Sequence, residues 1–195
     1  MGIELVVIGI STGGSKALKF LIPQLAANFP VPIVIVQHLP VGETEWLALR
    51  LDLLSQLQVV EAKQGDILQE GVVFIAPGGK HLTFVRQEDG RVKIELDTQP
   101  DDLWYCPSVD VMFTSAAKIF GDRLLGIVMT GMGNEGTIGA AKIKALGGRI
   151  FSEHESSCVV YSMPKEVADA GLSDRIVPLE NLASAILAEF KSVSS

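Results

Sequence analysis

Three stretches of this chain are apolar at nearly every position. Residues 4–10 (ELVVIGI), 31–36 (VPIVIV) and 124–129 (LLGIVM) are each bounded by turn residues. Strands apolar on both faces belong in a parallel sheet covered on both sides. Between and beyond them, residues 15–28, 44–56, 136–146 and 179–191 repeat their apolar positions at helical spacing, and Leu47, Leu51 and Leu54 share one face. The alternation predicts an α/β fold, a mostly parallel doubly wound sheet flanked by helices with right-handed crossovers. The middle of the chain reads differently. Val59–Ala62, Val72–Ala76, Leu82–Arg86 and Val92–Leu96 are short β-like pieces, and Gln87-Glu88-Asp89-Gly90 is a hairpin turn signal. An antiparallel hairpin excursion inside the parallel framework is therefore expected. Two late strands are expected at Arg149–Ser152 and near Arg175–Pro178.

No internal repeat or low-complexity linker interrupts the 195 residues, which predicts a single domain over 1–195 with a frayed tail from Lys191. Hydrophobic content of 48% and charged content of 20% describe a globular chain with a sizeable core. The formal net charge of -7 gives no general attraction for nucleic acid or an anionic membrane surface. Cys106 and Cys158 are too few and too distant to form a disulfide framework, which fits a cytoplasmic setting. The start, Met-Gly-Ile-Glu, has neither a basic signal-peptide region nor a myristoylation pattern. No apolar run approaches the roughly 18 residues of a membrane span, so no direct membrane insertion is expected.

The first apolar run drives into Gly9-Ile10-Ser11-Thr12-Gly13-Gly14. Strand, tight turn and helix is the context that lifts a serine hydroxyl off a sheet edge, and the segment fits the Gly-x-Ser-x-Gly elbow pattern. Ser11 is a nucleophile, an anion-binding cap or only a turn residue on this information. His38 follows the second run, so it shares the carboxyl edge of a parallel sheet with Ser11, where ligands bind. A histidine beside a serine can take its proton; the alternative is that His38 merely ties down a loop. His81 follows Ala76-Pro77-Gly78-Gly79-Lys80 and either lines the same cleft or orients a loop, while His154, flanked by Glu153 and Glu155, reads as a solvated turn. Three scattered histidines and two distant cysteines give no metal-ligand spacing.

The third edge loop, Thr130-Gly131-Met132-Gly133-Asn134-Glu135-Gly136, supports two readings. Its Gly-x-Gly-x-x-Gly spacing matches a dinucleotide fingerprint, with Glu153 where a ribose-binding acid is expected. Alternatively Glu135 is a triad acid that orients His38, with Asp110 as the spare candidate. Asn134 and Glu135 also suit the first turn of a helix, where an acid contributes roughly 0.3–1 kcal/mol. The order Ser11, His38, Glu135 differs from the Ser, acid, His order of ordinary α/β-hydrolases.

Taken together the loops resemble the catalytic domain of the chemotaxis protein-glutamate methylesterase family, CheB. The matching pieces are Ile8-Gly9-Ile10-Ser11-Thr12-Gly13-Gly14, Val36-Gln37-His38-Leu39-Pro40, Gly65-Asp66, Ala76-Pro77-Gly78-Gly79-Lys80-His81-Leu82, Pro107-Ser108-Val109-Asp110, Thr130-Gly131-Met132-Gly133-Asn134-Glu135-Gly136 and Met163-Pro164-Lys165. They stand in the family's order over nearly the whole chain. The resemblance implies a parallel α/β sheet with Ser11 as nucleophile, His38 as general base and Glu135 as acid. It implies oxyanion contacts from the backbone around Thr12 and Met132, and no cofactor or metal; His81 joins them as a substrate-binding candidate by its position. It implies hydrolysis of glutamyl methyl esters, and deamidation of glutamines, on the cytoplasmic helices of methyl-accepting chemoreceptors.

Three departures qualify that expectation. Glu135 stands where the family usually has Asp, and its extra methylene shifts the carboxylate by about a bond length, a displacement of the kind that costs on the order of a hundredfold in rate. Cys106 stands where the family often has Arg. The chain also starts directly at the catalytic domain, so a stand-alone enzyme without a receiver domain is expected, controlled by a separate regulatory protein or constitutively active. The alternative is a catalytically impaired descendant that binds a receptor or another partner.

Overall fold

The computed structural model describes residues 2–191, so the tail expected to fray beyond Lys191 lies outside the described residues. Among the described residues nine strands and six α-helices follow in the order β1 (Leu5–Ile10), α1 (Gly14–Leu21), β2 (Ile33–Gln37), α2 (Glu43–Leu54), β3 (Gln58–Glu61), β4 (Val72–Ile75), β5 (His81–Arg86), β6 (Val92–Asp97), α3 (Val109–Phe120), β7 (Leu124–Val128), α4 (Thr137–Ala145), β8 (Arg149–Glu153), α5 (Met163–Asp169), β9 (Arg175–Val177) and α6 (Leu179–Lys191). Seven strands form one parallel sheet in the order β3-β4-β2-β1-β7-β8-β9.

β1 shows why its sequence is apolar throughout. Val6, Ile8 and Ile10 join one buried cluster, with α1, α2 and α6. Leu5 and Val7 join the other, with α3, α4, α5 and the hairpin. A strand between two helical layers needs an apolar residue at every position. β1 is also where the order reverses: the chain leaves it toward β2 and later returns to its other side as β7. The crevice beyond the carboxyl end of such a strand is where ligands bind in open α/β sheets.

The structure departs from the expected excursion in extent. Among the described strands only β5 and β6 pair antiparallel, with an isolated antiparallel bridge from Ile67 to Lys93 beside them. β3 and β4 pair parallel with each other, and β4 continues onto β2. The intervening residues 62–71 form too long a connection for a tight turn. They lie against the hairpin instead, through Gly65 N–H to Ile94 O (3.0 Å) and Leu68 N–H to Val92 O (2.9 Å). The first helix ends at Leu21, before Ile22–Gln24 tightens into a 3-10 turn at Pro23. Two helices went unanticipated, α3 and the seven-residue α5. Among the described residues no helix is long and apolar enough to cross a membrane.

Candidate active site

Ser11 follows β1 directly. Its N–H reaches Thr130 O at the end of β7 (2.9 Å), and its own carbonyl accepts from Gly14 N–H (2.8 Å), which closes the turn into α1. His38 follows β2, with its N–H on Ile10 O (3.2 Å). Both residues line one cleft of about 250 Å³ with Thr12, Gly13 and Lys16. No hydrogen-bond partner for the Ser11 hydroxyl is found among the described residues.

Glu135 and His38 are 97 residues apart in sequence and meet through a 2.8 Å contact between Glu135 Oε2 and His38 Nε2. A carboxylate only accepts, so Nε2 carries the proton, and Nδ1 remains as the acceptor nitrogen. Nδ1 is buried without a hydrogen-bond partner among the described residues. Tyr105 stacks on the imidazole, ring centres 4.1 Å apart and planes 6° from parallel. Glu135 is held in turn by three donors: His38 on Oε2, Val109 N–H on Oε2 (2.8 Å) and the Ser108 hydroxyl on Oε1. Despite its extra methylene, Glu135 therefore reaches the imidazole fully.

Buried polar side chains hold the two turns in register. Gln37, 2% exposed, donates through Nε2 to Ser11 O (2.9 Å) and His38 O (3.3 Å), tying the two turns together. A Cβ on Gly14 would lie 1.9 Å from Gln37 Oε1, so a larger residue there would displace the side chain that ties the turns together. Gly131 is equally confined, since a Cβ there would meet Met163 Sδ at 2.3 Å and Ser11 Cβ at 2.9 Å. Thr130 Oγ1 donates to Thr12 O (2.9 Å) and accepts from Val159 and Val160 N–H. Behind Thr130, the fully buried Glu153 accepts its N–H (2.9 Å) and the Ser157 hydroxyl (2.9 Å). Burial pushes the Glu153 carboxyl above its ordinary range.

The other anticipated residues fall into place around this centre. Thr12 is exposed at the cleft mouth and Met132 is 61% exposed on the facing loop. No acceptor for the backbone N–H of either is found among the described residues. His81 does not face the cleft as expected. It is 1% exposed, Nδ1 accepts from Ser108 N–H (3.1 Å), and Nε2–H donates to Pro100 O (3.0 Å). Both nitrogens are engaged by the protein, the arrangement expected of a histidine that orients a loop, here Ser108 and through it Glu135. Asp110 accepts from Gly136 N–H (3.1 Å) and Gly139 N–H (2.6 Å), so the spare acid caps α4 and leaves His38 to Glu135. Burial, with the Glu135 charge adding to it, pushes the Asp110 carboxyl up.

The dinucleotide reading is overturned. Glu153 is committed to Thr130 and Ser157 and has no exposed surface to offer a ribose. His154 caps a solvent-exposed 3-10 turn through Ser156. Cys106 and Cys158 are free thiols, and burial, with the Glu153 charge adding to it, pushes Cys158 up to about 12. Among the described residues no group of three metal-ligating side chains forms a cluster. Gln37 and Ser108 lay inside matching pieces without an assigned role, and the supporting role of Tyr105 had no sequence signal beyond adjacency to one of them.

Comparison with known proteins is consistent with this geometry. Residues 6–186 match a family model described as CheB methylesterase. The chain is 44% identical over 186 residues to the protein-glutamate methylesterase/protein-glutamine glutaminase of Vibrio parahaemolyticus, covering 95% of this chain and 50% of that protein. It is 45% identical over 183 residues to a protein of the same name, numbered 2, from Methanosarcina mazei, covering 92% and 50%. The chain thus spans about half the length of these curated relatives. The Thermotoga maritima CheB methylesterase catalytic domain superposes with a TM-score of 0.93 at 41% identity, covering 96% of this chain and 99% of that one. Matched by the family model over residues 6–186 and in fold over 96% of its length, the chain belongs to the CheB methylesterase family.

Proposed function

We propose that this domain hydrolyses glutamyl methyl esters on methyl-accepting chemoreceptors, and deamidates their glutamines, with Ser11 as nucleophile. The observation that carries the reading is the Glu135–His38 bond at Nε2, which leaves the buried Nδ1 unprotonated on a side chain that lines the same cleft as Ser11. Nδ1 takes the Ser11 proton as the hydroxyl oxygen attacks the γ-carbonyl. This reverses the nitrogen usage of the common triad template while preserving its logic, in which the acid fixes the tautomer and steadies the imidazolium. The free N–H groups of Thr12 and Met132 receive the tetrahedral oxyanion, a contribution of roughly 3–4 kcal/mol per donor in comparable sites. The imidazolium returns its proton to the leaving oxygen or nitrogen, and methanol or ammonia departs. Water, activated by the same nitrogen, then hydrolyses the acyl-enzyme. The printed names of the relatives couple both activities. Such a substrate sets the reaction in the cytoplasm, where the two free thiols are also at home.

The alternative of an impaired, partner-binding descendant rested on Glu135 and Cys106. Glu135 makes the bonds a triad acid requires, which removes the first of these grounds. The test is methanol release from a methylated receptor fragment. Ser11→Ala and His38→Ala are each expected to lose about 10⁴-fold or more in kcat. Full activity in both would refute the mechanism.

A further inference from the structure

The cleft at Ser11 continues outward. It shares Ser15 and Leu39 with a second groove of about 230 Å³ between α1 and α2. Three cations stand along this path, Lys16 beside Ser11 and Lys19 and Arg50 farther out, facing a single acid, Glu43. Among the described residues none of the three cations has an ion-pair partner, in a chain whose net charge is -7. Such a chain repels acidic partners unless a local track of opposite sign draws them in. Apolar side chains of α2 are exposed beside this groove. Trp46 is 66% exposed, and Leu53, one stripe-step past Arg50 on α2, is 86% exposed. Residues 46, 50 and 53 fall at helical spacing on one face.

We infer that this groove docks an acidic, amphipathic helical segment of the protein substrate. Carboxylates flanking the reacting glutamyl lie on Lys16, Lys19 and Arg50, and the segment's apolar stripe lies on Trp46 and Leu53. A cationic track from Lys16 through Lys19 to Arg50, interleaved on α2 with the apolar Trp46 and Leu53, selects that chemistry in the helix-in-groove mode of recognition. The inference rests on the proposed hydrolase reading, because the track matters for catalysis only if it leads a glutamyl group to Ser11.

The test is fluorescence anisotropy with a labelled synthetic helical peptide rich in glutamate and leucine and carrying one glutamine, bound to the Ser11→Ala protein. Lys19→Glu/Arg50→Glu is expected to weaken binding by about tenfold at low ionic strength and by less at physiological salt. Trp46→Ala is expected to weaken it by about fivefold at either salt, because its contribution is apolar. A matched peptide with lysine in place of glutamate should not bind. Unchanged affinity in the charge-reversed variant, or equal binding of the lysine peptide, overturns the inference. So does a sedimentation shift from dimer to monomer in Leu53→Asp, which would make this face a contact between two copies. Methanol release by the wild type is measured alongside. If it is absent while peptide binding still depends on Lys19 and Arg50, the hydrolase reading fails and the docking surface stands.

Discussion

Three donors converge on the Glu135 carboxylate, and that convergence fixes its position to within a bond length. Aspartate at this place would fall short of His38 unless its loop moved. Glu135→Asp is therefore expected to lower kcat by about ten- to a hundredfold with little change in KM, measured on a methylated receptor fragment. Glu153 poses a different question, since it is fully buried and has no cation as partner among the described residues. Its carboxyl is raised above the ordinary 4.5, first by burial and against the pull of its two donors. A raised carboxyl means that the folded protein holds the proton more tightly than the unfolded chain. Its contribution to stability is full below about 4.5 and is lost as pH rises through the raised folded value. Glutamine would accept from Thr130 N–H and donate to Ser157 Oγ without the charge. Glu153→Gln should raise Tm at neutral pH, with the gain shrinking as pH falls toward 4.5. A gain independent of pH in thermal melts would contradict this account.

At the scale of elements, the site depends on the reversal of strand order at β1. The turn after β1 supplies Ser11, the turn after β2 supplies His38, and the loop after β7 supplies Glu135. α3 braces that arrangement from below. Its first residues, Ser108 and Val109, hold Glu135, and Asp110 holds the start of α4. Val109, Met112, Phe113, Ala116, Ala117 and Phe120 are all buried and repeat at helical spacing behind the Ser108 N-cap. That signal was present in the sequence, although the segment drew attention only as a motif. Phe113 packs where α3 meets α4, so closely that a Cβ on Gly139 would lie 2.4 Å from it. Phe113→Ala is expected to cost about 3–5 kcal/mol in urea unfolding, because the rigid helix pair cannot close the cavity. Part of the loss in activity should exceed what the fraction unfolded explains, since the same helix positions Glu135.

Over the whole molecule, one sheet separates two apolar clusters and contributes alternate residues to each. Neither cluster can lose its packing while the other keeps its strands. Unfolding should therefore be cooperative, with calorimetric and van't Hoff enthalpies in agreement; a calorimetric value well above the van't Hoff one would show that the two layers melt separately. The sequence by itself determined the parallel α/β framework, because runs such as Leu5–Ile10 are too apolar for a strand with a wet face. It also determined which loops meet at the carboxyl edge, because strand ends and motifs coincide. Only the tertiary structure decided which groups those loops bring into contact. Asp110 and Glu135 were both plausible acids, and the α3–α4 packing gave one to a helix cap and the other to His38. His81 suited the cleft by position, and its burial beneath Ser108 made it a support. Val59–Ala62 read as a short β-like piece of the antiparallel excursion, and the path of residues 62–71 carried it into the parallel sheet. Hydrophobic periodicity records how each segment meets the core, whereas the partner of a polar side chain is set by residues dozens of positions away.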